Sequence, residues 1–229
     1  MSLRVLSTHA VMEVLQSLTP AFERDSGVTL SVSYDPANVL KQRINGGEPF
    51  DVAIVTRAVL DDFTNRSIIQ PNSRTDLGRS GLGVSVRKGA PKPDIRSVED
   101  FKRTMLAAKS VVRSKDGTSG IYFEQLLERL GIAGAMRGKV VLGPSGRVAT
   151  LVAKGEVELA VQQVSELLPV EDADFVAPFP EELQLYTMFS AGVGTASQAP
   201  DEGQKLLRAL TAPAARALFK AKGLEPPGA

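Results

Sequence analysis

"VVRSKDGTSGIYFEQLLERLG", residues 111–131, decides the fold. Two β-branched apolar residues lead into a basic, hydroxyl-rich loop, and the loop opens directly onto an amphipathic helix. A strand running straight into a helix is half of a βαβ crossover, the building unit of a mostly parallel sheet covered by helices. The stripe Ile121, Phe123, Leu126, Leu127 and Leu130 gives the helix an apolar face to bury.

The same alternation extends to both sides. Upstream, "LRVLS" reads as a strand. "AVMEVLQSLTPAFERDSG" reads as a helix stopped by Gly27, with Pro20 inside it predicting a kink or a break. "VTLSVSY" is a second strand, "ANVLKQRINGG" a helix with a double-glycine stop, "FDVAIVT" a buried strand and "AVLDDFTNRSII" a helix. After "GRSGLGVSVRKGAPKPD" the series restarts. "GLGVSVRKG" is a strand, "SVEDFKRTML" a helix with Ser97 as N-cap, "KSVVRS" the strand before the quoted helix, "GKVVLG" a strand, "RVATLVAKG" a helix and "VELAVQQ" a strand. "DFVAPFPEELQLYTMFSAGV" is irregular and proline-rich before it becomes a strand, and two helical pieces close the chain.

Two α/β units and a leftover helical pair predict two lobes, residues 1–82 with 190–229 and residues 83–189, with a ligand cleft between them. The crossings are expected near Gly81–Gly83 and Tyr186–Gly192. One long doubly wound sheet gives nearly the same pattern.

Composition removes several function classes. With 229 residues and 43% hydrophobic content, the chain can bury a substantial core. A net charge of +1 gives no basic field for nucleic acid. Cysteine is absent, so disulfides, thiolate catalysis and cysteine-held metals are out. His9 is the only histidine, and neither a metal nor a cofactor is expected. Sparse aromatics disfavour base or sugar stacking. No apolar run reaches the roughly 18 residues of a membrane span, so no direct insertion is expected. "GPSGR" and "GLGVSV" match neither the phosphate-cradling nor the dinucleotide-binding glycine pattern, and there is no Gly-x-Ser-x-Gly elbow.

In open α/β sheets, ligands bind where strands end and helices begin. Those junctions supply Ser7, Thr8, His9, Asn38, Thr56, Arg57, Arg113, Ser114, Lys115, Thr118, Ser119, Ser145 and Arg147. Helix N-termini offer unpaired N–H groups and partial positive charge, and arginine adds a fork for carboxylates. Ordinary helix capping accounts for any one hydroxyl, and a solvated salt bridge for any one arginine. Taken as a set, they predict a site for a small anion.

"VLSTHAVMEVLQSLTPAFERDSGV", "LKQRINGGEPFDVAIVT" and "GTSGIYFEQLLERLG" together resemble the periplasmic molybdate-binding proteins of ABC importers, in the same order along the chain. The most specific pieces are the Gly-x-Pro-x-Asp turn in "GGEPFDVAI" and the "SGIY" that opens a helix. The resemblance implies a two-lobed type II periplasmic-binding-protein fold, α/β in class, that closes about a hinge onto its ligand. It also implies a monomer, a periplasmic location once a leader is removed, and an ABC permease as partner; a cytoplasmic start stays open. The family's two serine contacts fall at about Ala10 and Ala37, its backbone contacts at Ser119 and near Gly146, and its tyrosine at about Gln163. Two hydroxyls and a phenol are thus replaced, while Arg57, Arg113, Lys115 and Arg147 are added. That exchange predicts an organic di- or tricarboxylate rather than molybdate or tungstate. Some relatives with this fold resemble aconitate isomerases, in which His9 or Lys115 would serve as catalytic groups.

Overall fold

The computed structural model describes residues 2–144 and 146–228. The chain divides into two compact units, residues 1–79 with 187–229 and residues 80–186. The first unit carries β1 (Ser2–Ser7), a short 3-10 turn at His9–Val11, α1 (Met12–Ser26), β2 (Thr29–Tyr34), α2 (Ala37–Asn45), β3 (Val52–Thr56), α3 (Arg57–Asn65) and β4 (Thr75–Ser80). The second carries β5 (Leu82–Arg87), α4 (Val98–Ala107), β6 (Val111–Ser114), α5 (Thr118–Arg129), α6 (Ala133–Met136) and β7 (Val140–Gly143). It continues with α7 (Ala149–Ala153), β8 (Leu159–Gln163), α8 (Val164–Leu167) and β9 (Ala173–Pro178). The chain then returns to the first unit as β10 (Thr187–Val193), α9 (Pro200–Thr211) and α10 (Pro213–Ala221).

Each unit holds one five-stranded mixed sheet, ordered β2-β1-β3-β10-β4 in the first and β7-β6-β8-β5-β9 in the second. β1 runs parallel to β2 and β3, and β10 antiparallel to β3. In the second unit β6 runs parallel to β7 and β8, and β5 antiparallel to β8 and β9. Place for place the two sheets follow one plan. In both, three parallel strands end on a common edge, where strand-to-helix loops collect.

Alternation within strands splits each core into two. Leu3 and Val5 pack with Val14, Leu15 and Phe219, while Leu6, between them and the next strand end, packs with Leu40, Ile44 and Phe63. In the second unit Val111 joins Phe101, Phe123 and Phe179, and its neighbour Val112 joins Val148, Val152 and Leu167. Successive side chains on a strand face opposite ways, so both faces of each sheet are covered. Each fully buried Leu or Phe contributes roughly 1.5–3 kcal/mol.

Local signals act as the residues suggest at several places. Gly27 ends α1 in the left-handed conformation, with φ of 69°. The Ser97 hydroxyl caps α4 by accepting from Asp100 N at 3.1 Å. Asp51, at the mouth of "FDVAIVT", is buried and accepts from Arg4 N and Ser197 Oγ, each at 2.8 Å. One carboxylate thereby ties the start of β3 to β1 and to the loop after β10.

Three expectations need correction. Pro20 does not break α1, which runs unbroken through it. Pro20 is exposed, so water can serve the carbonyl that loses its N–H partner. Ile121 is not core: it is 38% exposed, whereas Phe123, Leu126 and Leu127 are buried. The stretches "TDLGRS" and "ADFVAP" form edge strands β4 and β9 where no strand was expected; an edge tolerates the proline that closes β9.

Candidate functional site

In the first unit the common edge falls at Ser7, Tyr34 and Thr56. Thr8 N donates to Ile54 O at 2.9 Å, so the loop after β1 is pinned to the neighbouring strand. Ser7 is buried and its hydroxyl donates to Thr8 O at 3.2 Å. Thr8 is 4% exposed, and its hydroxyl has no hydrogen-bond partner among the described residues. Thr8 and Thr56 both stand at N-cap positions, yet neither side chain makes the capping bond that Ser97 makes. Capping therefore does not explain them. A buried hydroxyl left unmet costs about 1–3 kcal/mol, a cost that a ligand or water at this edge would remove.

His9 is half-buried, its ring 6.4 Å from that of Tyr34. Burial, with help from nearby Glu13, pushes the Tyr34 phenol up to about 12. Asn38 is exposed in the first turn of α2. Arg57 opens α3, and its fork rests on Asp76, with Nε donating to Oδ1 at 3.2 Å. Asp76 also accepts from Ser190 Oγ at 2.6 Å. Burial works to raise the Asp76 carboxyl, but the hydrogen bonds from Ser190 and Arg57 outweigh it and hold it below the usual carboxylate range. The charges at the first unit's edge are thus paired within the unit, Arg57 with Asp76 and Arg43 with Asp35, which follows the end of β2.

The second unit's edge falls at Ser114, Gly143 and Gln163. Arg113 is 7% exposed; it donates to Glu124 Oε2 at 2.8 Å and to Ser114 O at 3.2 Å. Two of its five N–H donors are spent in this way, which holds the guanidinium in place. The Ser114 hydroxyl accepts from Gly117 N at 3.0 Å and shapes the loop that carries exposed Lys115. Half-buried Thr118 and buried Ser119 begin α5. A Cβ on Gly120 would lie 1.9 Å from Ser114 O, so only glycine lets this helix start so close to the strand end. That contact is the physical reason for "SGIY".

Beyond β7, Ser145 lies outside the described residues. Gln162, buried in β8, accepts from Val148 N at 3.0 Å and donates to Gly146 O at 2.7 Å. The amide of Gln162 thus clamps the loop that presents half-buried Arg147. Gln163 is buried beside it at the strand end. One further group is here that the sequence reading did not single out. Glu166, half-buried in α8, has its carboxyl pushed up to about 8 by burial, with the charge of Arg147 and a hydrogen bond to Gln162 pulling the other way. Nothing in "QQVSELL" distinguishes this glutamate from a solvated one; the signal is spatial.

Among the described residues there is no group of three or more His, Asp or Glu side chains that could hold a metal. No helix among them is long and apolar enough to cross a membrane.

Comparison with known proteins follows the same lines. A family model described as bacterial extracellular solute-binding protein matches residues 3–225. An aconitate isomerase from a Pseudomonas species is 33% identical over 231 residues, covering 98% of this chain and 88% of that protein. The molybdate-binding protein ModA of Escherichia coli (strain K12) is 23% identical over 183 residues, covering 78% of this chain and 71% of its own. The periplasmic molybdate-binding protein of Azotobacter vinelandii superposes with a TM-score of 0.83 at 17% identity, covering 98% of this chain and 99% of that one. At that identity the likeness establishes the two-lobed α/β fold.

Proposed function

The chain belongs to the bacterial extracellular solute-binding proteins, and on that premise we propose that its ligand is an organic tricarboxylate of the aconitate type. The observation that carries this reading is Arg113. A guanidinium on a residue only 7% exposed, held near the end of β6 by Glu124 of α5 and by Ser114 O, is suited to a planar carboxylate. Arg147, on the next loop of the same edge, supplies a second fork. The neutral hydroxyl and tyrosine contacts implied for a molybdate receptor correspond here to Ala10, Ala37 and Gln163, which supply neither. Thr8 and Thr56 in the first unit are proposed as neutral donors to the same class of ligand.

Capture of this kind serves delivery to an ABC-type permease in the periplasm. A second reading is favoured by a specific observation. The 33%-identical relative over nearly the whole chain is an aconitate isomerase, and the proposed edge contains a carboxyl with a raised proton affinity. In that reading the protein moves the double bond of an allylic tricarboxylate by a proton shift.

One experiment tests both. The purified protein is incubated with cis-aconitate in D2O and followed by proton NMR, alongside a thermal-shift panel of cis- and trans-aconitate, citrate, sulfate, molybdate and tungstate. A tricarboxylate is expected to raise Tm most, because ligand that binds only the native state stabilises it by mass action. Appearance of the trans isomer marks the enzyme; stabilisation without conversion marks a receptor. Stabilisation by molybdate alone would overturn the proposed ligand.

A further inference from the structure

We infer that Glu166 is the acid–base residue of this edge, the group that takes a proton from one carbon of the bound allylic tricarboxylate and returns it to another. The inference rests on the isomerase reading and goes beyond it by naming the proton carrier. It starts from position: α8 begins directly at the end of β8, so Glu166 lies one helical turn beyond Gln162 and Gln163. Parallel pairing of β6 with β8 sets Arg113 opposite Val161, which brings the strand ends holding Arg113 and Gln162 alongside each other. The edge that would hold the carboxylates is therefore also the edge that holds Glu166.

Its surroundings are those of a working carboxyl rather than a solvated one. Glu166 is half-buried, engages the amide of buried Gln162, and lies within the field of Arg147. Gln162 in turn is fixed by Gly146 O and Val148 N, so carboxyl and loop are held as one assembly. The other charged side chains on strands packed against α8, Arg87 of β5 and Asp174 of β9, lie at the far end of the sheet. Leu82, not Arg87, is the β5 residue opposite Gln163, and Asp174 pairs with Val86. Arg147 is accordingly the charge that acts on Glu166. Burial lifts the carboxyl toward about 8, which makes its ionised form a stronger base than an ordinary glutamate.

The step balances within the protein and the ligand. The Glu166 carboxylate accepts a proton from the saturated methylene carbon, and that C–H bond's electron pair spreads over the allyl system and its carboxylates. The guanidinium groups of Arg113 and Arg147 stabilise the added charge. The double bond shifts by one position as the far carbon takes the proton back from Glu166, leaving the carboxylate ready for another turn. No oxidant, metal or cofactor enters.

The test compares wild type, Glu166→Gln and Glu166→Asp by proton NMR with cis-aconitate in D2O, with calorimetric binding of the same ligand as a parallel readout. Glutamine is isosteric with the protonated side chain, so the fold should be retained, and circular dichroism checks it. The expected result is a loss of at least a thousandfold in both conversion and methylene deuterium exchange in Glu166→Gln, with binding kept within about fivefold and partial recovery in Glu166→Asp. Wild-type kcat/KM should rise with pH through a limb near 8, and that limb should be missing from any residual Glu166→Gln activity. Conversion by wild type together with near-normal conversion by Glu166→Gln overturns the assignment of Glu166 and leaves the isomerase reading standing. So does loss of exchange in His9→Gln with retention in Glu166→Gln. Binding by wild type with neither exchange nor conversion overturns the isomerase reading and the assignment with it.

Discussion

The two units share one strand order and differ in what they place on the same edge. In the first, the parallel strands end in Ser7, Tyr34 and Thr56, with buried Thr8 just past β1 and Arg57 closed onto Asp76. In the second they end in Ser114, Gly143 and Gln163, with buried Arg113 inside β6 and Arg147 and Glu166 on the following segments. One topology thus carries two different sets of side chains at the same edge, and the chemistry each edge offers follows from those residues rather than from strand order. The difference also shows how to judge an arginine near a strand end. Both arginines meet a carboxylate of their own unit: that of Arg57, Asp76, is itself anchored by Ser190, whereas that of Arg113, Glu124, is 65% exposed and water already competes for it.

The comparison breaks most readily at Arg113. Arg113→Ala is expected to weaken tricarboxylate binding at least a hundredfold by calorimetry, and Arg113→Lys to recover little, because a point charge does not replace the planar fork. Equal affinity in the alanine variant would remove Arg113 from the site. Thr8→Val keeps shape and removes the unpartnered hydroxyl. It should cost about tenfold in affinity while leaving Tm unchanged or slightly higher, because an unmet buried hydroxyl is also lost. A fall in Tm with normal affinity would make Thr8 purely structural.

A third test uses acidity to separate the units. The Glu166 carboxyl is raised from 4.5 to about 8, so between those values the folded chain keeps a proton that the unfolded chain releases. Stability should accordingly fall as pH rises through this window, and Glu166→Gln should lack that component of the fall. Asp76 in the first unit has its carboxyl lowered, so its contribution is present above the ordinary carboxylate range and is lost only as pH falls through its folded value. Denaturant midpoints between pH 4 and 9 check the sign for Glu166, and their extension into acid below the ordinary carboxylate range checks it for Asp76. The smallest effect is expected at Arg57: Arg57→Ala should change tricarboxylate affinity less than threefold and cost roughly 0.5–1 kcal/mol of stability, as a half-exposed ion pair does.

Much of this was legible in the residues. The alternation of strands and helices, the stop at Gly27, the cap at Ser97 and the glycine-bearing start of α5 are local signals, and local physics enforces them. The edge strands β4 and β9 were not legible, because "TDLGRS" and "ADFVAP" carry glycine or proline that pairing on a single side tolerates. The candidate residues were legible as a set of junction side chains, but not their commitments. Which carboxylate meets which arginine depends on the fold, as with Asp76, 19 positions from Arg57. The displaced acidity of Glu166 likewise depends on packing and on Arg147, and no spacing rule reports either.

The most direct test of the ligand is a calorimetric titration of the intact protein with trans-aconitate and, separately, with molybdate. The tricarboxylate is expected to bind with about micromolar or tighter affinity that Arg113→Ala weakens at least a hundredfold, and molybdate to give no measurable heat of binding. Tight molybdate binding that survives Arg113→Ala, with no response to the tricarboxylate, would contradict it.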